Sequence, residues 1–132
     1  MKETVAKRLR ELGAQVTDHG TNSTEPVDYP DIAVKVARAV ADAKADAGIM
    51  IDGAGIGSCM AANKVAGVRA AMCYDLTTAT NAREHNDANV LTLGGGLIGA
   101  RLALDIVERF LSTPFAGGRH APRVDKIKAL DT

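Results

Sequence analysis

Apolar residues along the chain fall into two alternating patterns. Some form short unbroken runs; others return every three or four positions over longer stretches. The first pattern marks strands covered on both faces, and the second marks helices with one buried face. Residues 2–12 put Val5, Leu9 and Leu12 on one helical face, with Gly13 as the stop. Ala14-Gln15-Val16-Thr17 reads as a short strand, and a polar loop from Asp18 to Asp28 follows. Pro30 stands where a first helical turn tolerates proline, and Ile32, Val36, Ala39, Val40 and Ala43 carry a helix to about residue 45. Ala47-Gly48-Ile49-Met50-Ile51 is an unbroken apolar run. Gly53-Ala54-Gly55-Ile56-Gly57 breaks it, and Ser58 opens the next helix. Val68 to Cys73 is another strand, and Asp75 suits the cap of a helix running to about Glu84. Asn89 to Leu93 is a strand ended by Gly94-Gly95-Gly96. A long helix over about 97–112 and a short one over about 122–130 complete the chain. Strands alternating with helices through short connections predict an α/β layer fold with a parallel sheet. Neither a repeat nor a second domain is visible, so residues 1–132 read as one unit.

Composition narrows the classes. Sixteen basic and sixteen acidic side chains cancel, which argues against a nucleic-acid or membrane-surface binder. No apolar run approaches the roughly 18–20 residues that cross a bilayer. The charged start, Met1-Lys2-Glu3-Thr4, lacks the apolar stretch of an export signal, so a cytoplasmic protein is expected. The Asn22-Ser23-Thr24 glycosylation triplet then carries no meaning. Cys59 and Cys73 are too few and too far apart for a CxxC pair or a zinc knuckle, and read as reduced core or loop residues.

Ligands of open parallel sheets bind beyond the carboxyl ends of the strands. Asp52 with the glycine loop, Tyr74-Asp75 and the triple glycine at 94–96 all fall there. A strand, a glycine-rich turn and a helix start crowd several N–H groups into one small volume, suited to a phosphate or to an oxyanion formed during reaction. The alternative is a tight turn without a ligand. A dinucleotide fingerprint is a further rival, with Asp75 as its ribose-binding acid, but the third glycine comes one residue early and Asp52 would face the pyrophosphate. Asp52 reads either as a general base or as a cap for the loop's own N–H groups. His85 with Asn86 offers a proton donor and an amide, or a solvated turn. Arg119 and Arg123, four residues apart, suit a phosphate fork or a solvated helix face. His19, in Asp18-His19-Gly20, reads as a turn residue.

Together these segments resemble the type B ribose-5-phosphate isomerases and their galactose-6-phosphate isomerase relatives. The resemblance rests on Gly20-Thr21 with Asp28-Tyr29-Pro30, on the loop 53–57, on Ala61-Ala62-Asn63-Lys64-Val65, and on Gly67-Val68-Arg69-Ala70. Arg83-Glu84-His85-Asn86-Asp87-Ala88-Asn89-Val90 and Gly117-Gly118-Arg119-His120 with Arg123 complete it. It implies a Rossmann-like three-layer α/β/α fold with a mostly parallel sheet. It also implies a homodimer or tetramer with active sites shared between subunits. The implied reaction interconverts an aldose phosphate and a ketose phosphate, ribose 5-phosphate and ribulose 5-phosphate first, through a cis-enediolate without metal or nucleotide. Asp52 would be the base and His85 the ring-opening group. Gly53, Ala54, Gly55, Ile56, Gly57 and Ser58 with Asn86 would bind the substrate and its enediolate, and Arg119 and Arg123 its phosphate.

The chain departs from the family pattern in three places. Asp52 stands where many members have a cysteine base, as in one subunit type of galactose-6-phosphate isomerase, and Ser58 stands where others place a glutamate. Gly96 replaces an arginine common after the 89–93 strand. The family's first strand, with its Asp-His loop, has no counterpart before residue 2. Its absence would leave two rows of backbone donors and acceptors uncovered. These departures give the alternative reading: a non-catalytic partner of a second family subunit, or a sugar-phosphate binding module.

Overall fold

The computed structural model describes residues 1–20 and 28–132; the glycosylation triplet lies outside them. Six helices and three strands follow one another as α1 (Lys2–Glu11), α2 (Tyr29–Ala41), β1 (Gly48–Asp52), α3 (Gly57–Ala62), β2 (Ala70–Met72), α4 (Leu76–Glu84), β3 (Val90–Gly94), α5 (Ala100–Ser112) and α6 (Ala121–Lys128), with a single 3-10 turn at Gly118–His120. The sheet is wholly parallel, in the order β1-β3-β2. Gly48 stands level with Val90 and Asp52 with Gly94, while Ala70 to Met72 pair with Val90 to Thr92.

The side-chain period of two divides β3 between two cores. Leu91 and Leu93 pack with Val5, Leu9, Ile106 and Phe110 on one face. Val90 packs with Ala37, Val40, Ala62 and Val68 on the other. Every residue of β3 is buried, which is why the sequence there is a nearly continuous apolar run. Fully burying each of Leu91, Leu93, Ile106 and Phe110 is worth about 1.5–3 kcal/mol of transfer free energy.

Element limits shift from the expected ones for local reasons. α2 stops at Ala41 because Ala43 turns left-handed, with φ +59°. β2 shortens to three residues because the Arg69 N–H donates to the Asn89 side chain, 2.7 Å, before the ladder begins. α5 starts at Ala100 and not at 97, since Leu97 and Ile98 first close a turn on the Gly94 carbonyl. Asp75 caps α4 as expected: Oδ1 accepts from the Thr78 N–H at 2.7 Å, and the Thr78 hydroxyl answers the Asp75 N–H.

One expected strand is missing. Residues 14–17 join no ladder, and the sheet has three strands among the described residues. An open groove of about 770 Å³, lined by Val5, Leu9, Val16, Ile32, Val36 and Ile49 among others, separates this segment from β1. The Gly48 N–H faces β3 and donates to Asn89. By the alternation of a strand, Ile49 and Ile51 therefore direct their N–H and C=O groups into the groove, where they meet no partner among the described residues. The outer edge of β2 is treated differently. The Asn63 side chain lies against it, donating to the Ala70 carbonyl at 3.0 Å and accepting from the Ala70 N–H at 2.8 Å.

Candidate active site

The glycine loop leaves the carboxyl end of β1 and crosses over the end of β3. Its carbonyls are drawn downward. Asp52 O accepts from the Gly95 N–H at 2.7 Å, Gly53 O from the Gly96 N–H at 3.0 Å, and Gly55 O from the Thr92 hydroxyl at 2.6 Å. None of the N–H groups from Gly53 to Ser58 donates to another described residue. Gly53 and Ile56 are exposed, and Ala54 and Gly57 half-buried. The result is a row of outward donors at a helix start, the arrangement an oxyanion or phosphate oxygen needs. Gly55 makes the crossing possible. It has φ +76°, and a Cβ there would lie 2.9 Å from the Leu93 carbonyl carbon. Gly57 lies directly beneath the Tyr29 phenol, leaving no room for a side chain.

Asp52 is partly exposed, and its Oδ1 accepts from the Ser58 hydroxyl at 2.9 Å. No loop N–H reaches its carboxylate among the described residues, so Asp52 does not cap the loop that follows it. Ser58 itself is fully buried. Cys59 packs onto the strands beneath the loop, within reach of the Thr92 hydroxyl. Its thiol lies against the Ala70 carbonyl at 3.5 Å beside the Asn63 amide, and burial pushes it up from the ordinary thiol range. Cys73 is deeper still and pushed up to about 11, chiefly by burial. Asp75 is spent on the α4 cap, which removes the ribose-binding acid of the dinucleotide reading. Among the described residues no three of His, Cys, Asp and Glu converge as a metal site.

The second group of expected site residues lies elsewhere. α4 returns the chain from the end of β2 to the start of β3, so its last residues sit at the amino edge of the sheet. His85 is the C-cap of that helix. Its ring stacks on His120, with centroids 4.2 Å apart and planes 14° from parallel. The Ala116 N–H donates to Glu84 O, and Gly117 and Gly118, both left-handed, fold the following turn back over the helix end. Arg119 and Arg123 are exposed there with no carboxylate partner among the described residues, and His120 is held below the ordinary histidine range by burial, by His85 and by both arginines. Asn86 donates to Asn81 Oδ1 at 2.9 Å, and the Asn81 amide donates to His85 Nδ1 at 3.0 Å. This leaves the ring proton of neutral His85 on Nε2. Asn81 was not singled out from the sequence. Its place one helical turn before His85 is the signal that could have found it.

The expected site residues therefore form two clusters on one protomer. Asp52, Ser58 and the glycine loop hold the carboxyl edge; His85, Asn86, Arg119 and Arg123 hold the amino edge. The length of β3 separates them, about 13 Å at ~3.3 Å per residue. The structure does not bring Asp52 together with Arg119 and Arg123 within a single chain.

Comparison with known proteins supplies the kinship. A family model described as Ribose/Galactose Isomerase matches residues 1–127. Ribose-5-phosphate isomerase B of Escherichia coli is 44% identical over 131 residues, which is 99% of this chain and 88% of that protein. The D-erythrulose-4-phosphate isomerase of Pectobacterium atrosepticum is 44% identical over 128 residues, covering 96% of this chain and 84% of its own. A crystal structure of a ribose 5-phosphate isomerase from Thermotoga maritima superposes with a TM-score of 0.94 at 51% identity, over 98% of this chain and 89% of that one. The chain belongs to the Ribose/Galactose Isomerase family.

Proposed function

We propose that Asp52 is the base of this sugar-phosphate isomerase and that ribose 5-phosphate and ribulose 5-phosphate are its substrate pair. The observation carrying the proposal is a carboxylate with one oxygen held by a buried hydroxyl, beside a row of N–H groups that have no acceptor. The reaction moves a proton between adjacent carbons. Asp52 takes it from C2 of the open-chain aldose, and the electron pair passes into a C1–C2 double bond as the carbonyl oxygen becomes the enediolate oxyanion. The loop N–H groups meet that charge where it develops. The proton returns to C1 while the O2 hydroxyl proton passes to O1, so that C2 becomes the carbonyl and C1 carries the hydroxyl of the ketose. His85, with its proton on Nε2, suits the ring-opening step, Asn86 a donor to the enediolate, and Arg119 with Arg123 the phosphate.

Since the two clusters face opposite edges, the working unit is an assembly in which the loop of one protomer meets His85 of the partner subunit. A homodimer or a tetramer of such dimers satisfies this. Residues 1–132 then act as one isomerase unit, in the cytoplasm, where two unpaired thiols remain reduced. A four-carbon sugar phosphate is the second substrate reading, because a relative of the same identity carries D-erythrulose-4-phosphate in its name.

The test is a coupled isomerase assay on the purified chain with tetrose 4-phosphates, ribose 5-phosphate and hexose 6-phosphates. Turnover of ribose 5-phosphate is expected, and Asp52→Asn should lower it on the order of 10³-fold while sugar-phosphate binding by calorimetry persists. Unchanged turnover in Asp52→Asn removes Asp52 as the base. Binding without turnover in the unsubstituted chain supports the partner-subunit reading instead.

A further inference from the structure

Only two polar side chains among the described residues are fully buried, Ser58 and Thr92. A hydroxyl in a core is costly unless it is hydrogen-bonded, and an apolar residue of the same size would do there. Thr92 illustrates the point, since its neighbours Val90, Leu91 and Leu93 are all fully buried apolar residues and valine would fill its place. Both hydroxyls nevertheless donate, and both donate to the same structure. Thr92 Oγ1 bonds the Gly55 carbonyl at 2.6 Å, and Ser58 Oγ bonds Asp52 Oδ1 at 2.9 Å.

The consequence for the loop follows from peptide geometry. In a trans peptide the C=O and the next N–H point in opposite directions, and no peptide bond here is cis. A Gly55 carbonyl drawn down onto β3 therefore sends the Ile56 N–H to the outer side of the loop, where Ile56 is exposed. The peptides after Asp52 and Gly53 are oriented by backbone bonds to Gly95 and Gly96. The peptide after Gly55 is oriented by a side chain, and glycine is the residue whose φ and ψ most readily allow such a peptide to turn over. Ser58 does the matching work for the carboxylate. It occupies Oδ1 and leaves Oδ2 without a partner among the described residues.

We propose that Thr92 and Ser58 are positioning residues for the isomerisation: Thr92 locks the Gly55–Ile56 peptide with its N–H turned outward as an oxyanion donor, and Ser58 fixes Asp52 for proton transfer. This rests on the reading of Asp52 as base and of the loop as oxyanion site. Neither hydroxyl touches the substrate; each acts through the group it holds.

The experiment uses the full chain with Thr92→Val, Thr92→Ala, Thr92→Ser, Ser58→Ala and Asp52→Asn, assayed on ribose 5-phosphate. Thr92→Val keeps the shape and removes the donor. Its kcat should fall on the order of 10²-fold with KM little changed, because the phosphate is held by other residues. Thr92→Ser should restore most of the rate. The Ile56 amide resonance should shift in Thr92→Val and return in Thr92→Ser. Ser58→Ala should lower kcat on the order of 10-fold with KM little changed, since the hydroxyl fixes the direction of the carboxylate and does not touch the substrate. Thr92→Ala, which adds nothing to the core, gives the same reading where valine misfits. Wild-type kcat and an unmoved Ile56 amide in Thr92→Val and Thr92→Ala, with Asp52→Asn inactive, overturn the proposal for Thr92 alone. A Ser58→Ala variant with the parent kcat overturns it for Ser58. An active Asp52→Asn overturns the underlying base assignment, which none of the Thr92 results can do.

Discussion

A carboxylate and a thiol both stand near the glycine loop, and their surroundings separate them. Asp52 is partly exposed and oriented by a hydroxyl; the Cys59 thiol is turned onto the Ala70 carbonyl, with burial favouring its protonated form. Asp52 keeps Oδ2 without a partner among the described residues, whereas the thiol is bonded to a carbonyl and held protonated, so the carboxylate is the better candidate for the proposed base. Cys59→Ala is accordingly expected to keep isomerase turnover within about 3-fold of the parent, measured in the coupled assay, because it removes a core contact and no chemical group of the site. Loss of activity comparable to that of Asp52→Asn would transfer the role of base to the thiol. At this scale the sequence was informative about which residue types carry chemistry, and silent about direction. Asp52 at the end of an apolar run and the glycines after it were legible because burial and turn chemistry leave local signatures. The Ser58–Asp52 and Thr92–Gly55 bonds were not, because each depends on how a rotamer meets an element distant in sequence.

At the scale of elements, period and punctuation placed most helices and strands to within a few residues, and the exceptions have a common cause. A strand is stable through its neighbours more than through its own residues. Residues 14–17 have the composition of a strand but face a groove, so no ladder forms. β2, with three residues, persists at the opposite edge because Asn63 supplies an amide where a neighbouring strand would supply a peptide. Asn63→Ala should leave the Ala70 N–H to water and its C=O to the Cys59 thiol alone, and lower stability by about 1 kcal/mol in urea unfolding. It should also render β2 open to pairing, visible as concentration-dependent association. A variant as stable and as monodisperse as the parent would show that the edge needs no cover. The cap of α4 was legible from Asp75 alone, since an N-cap and its partner three residues on form a local code.

At the scale of the whole molecule, the proposed base and the proposed phosphate-binding arginines lie at opposite edges of one chain, and the proposed reaction needs them together. A two-fold axis that sets the carboxyl edge of one protomer against the amino edge of the other completes two sites at once. Mixing Asp52→Asn with His85→Ala, each inactive alone, should then restore activity. A statistical mixture holds half heterodimers with one intact site each, so about a quarter of the parent rate is expected. No recovery would mean that each chain carries its own complete site. The sequence named candidates in both clusters, because the residues that carry the family resemblance run through both. It did not convey their separation, which arises only when α4 carries His85 back to the start of β3.

The groove along β1 bears on how the protein can be handled. Met1 lies at the carboxyl edge, its Sδ 3.8 Å from where a side chain on Gly95 would begin, whereas the carboxylate of Asp131 is tied to the Gly67 N–H just ahead of β2. A label carried near Met1 therefore stands beside Asp52 and the channel whose isoleucine backbone groups are ready to bond an extended peptide, whereas one carried at Asp131 stands at the far edge of the sheet. The two positions are not interchangeable, and immobilisation or labelling chemistry is best directed to the second.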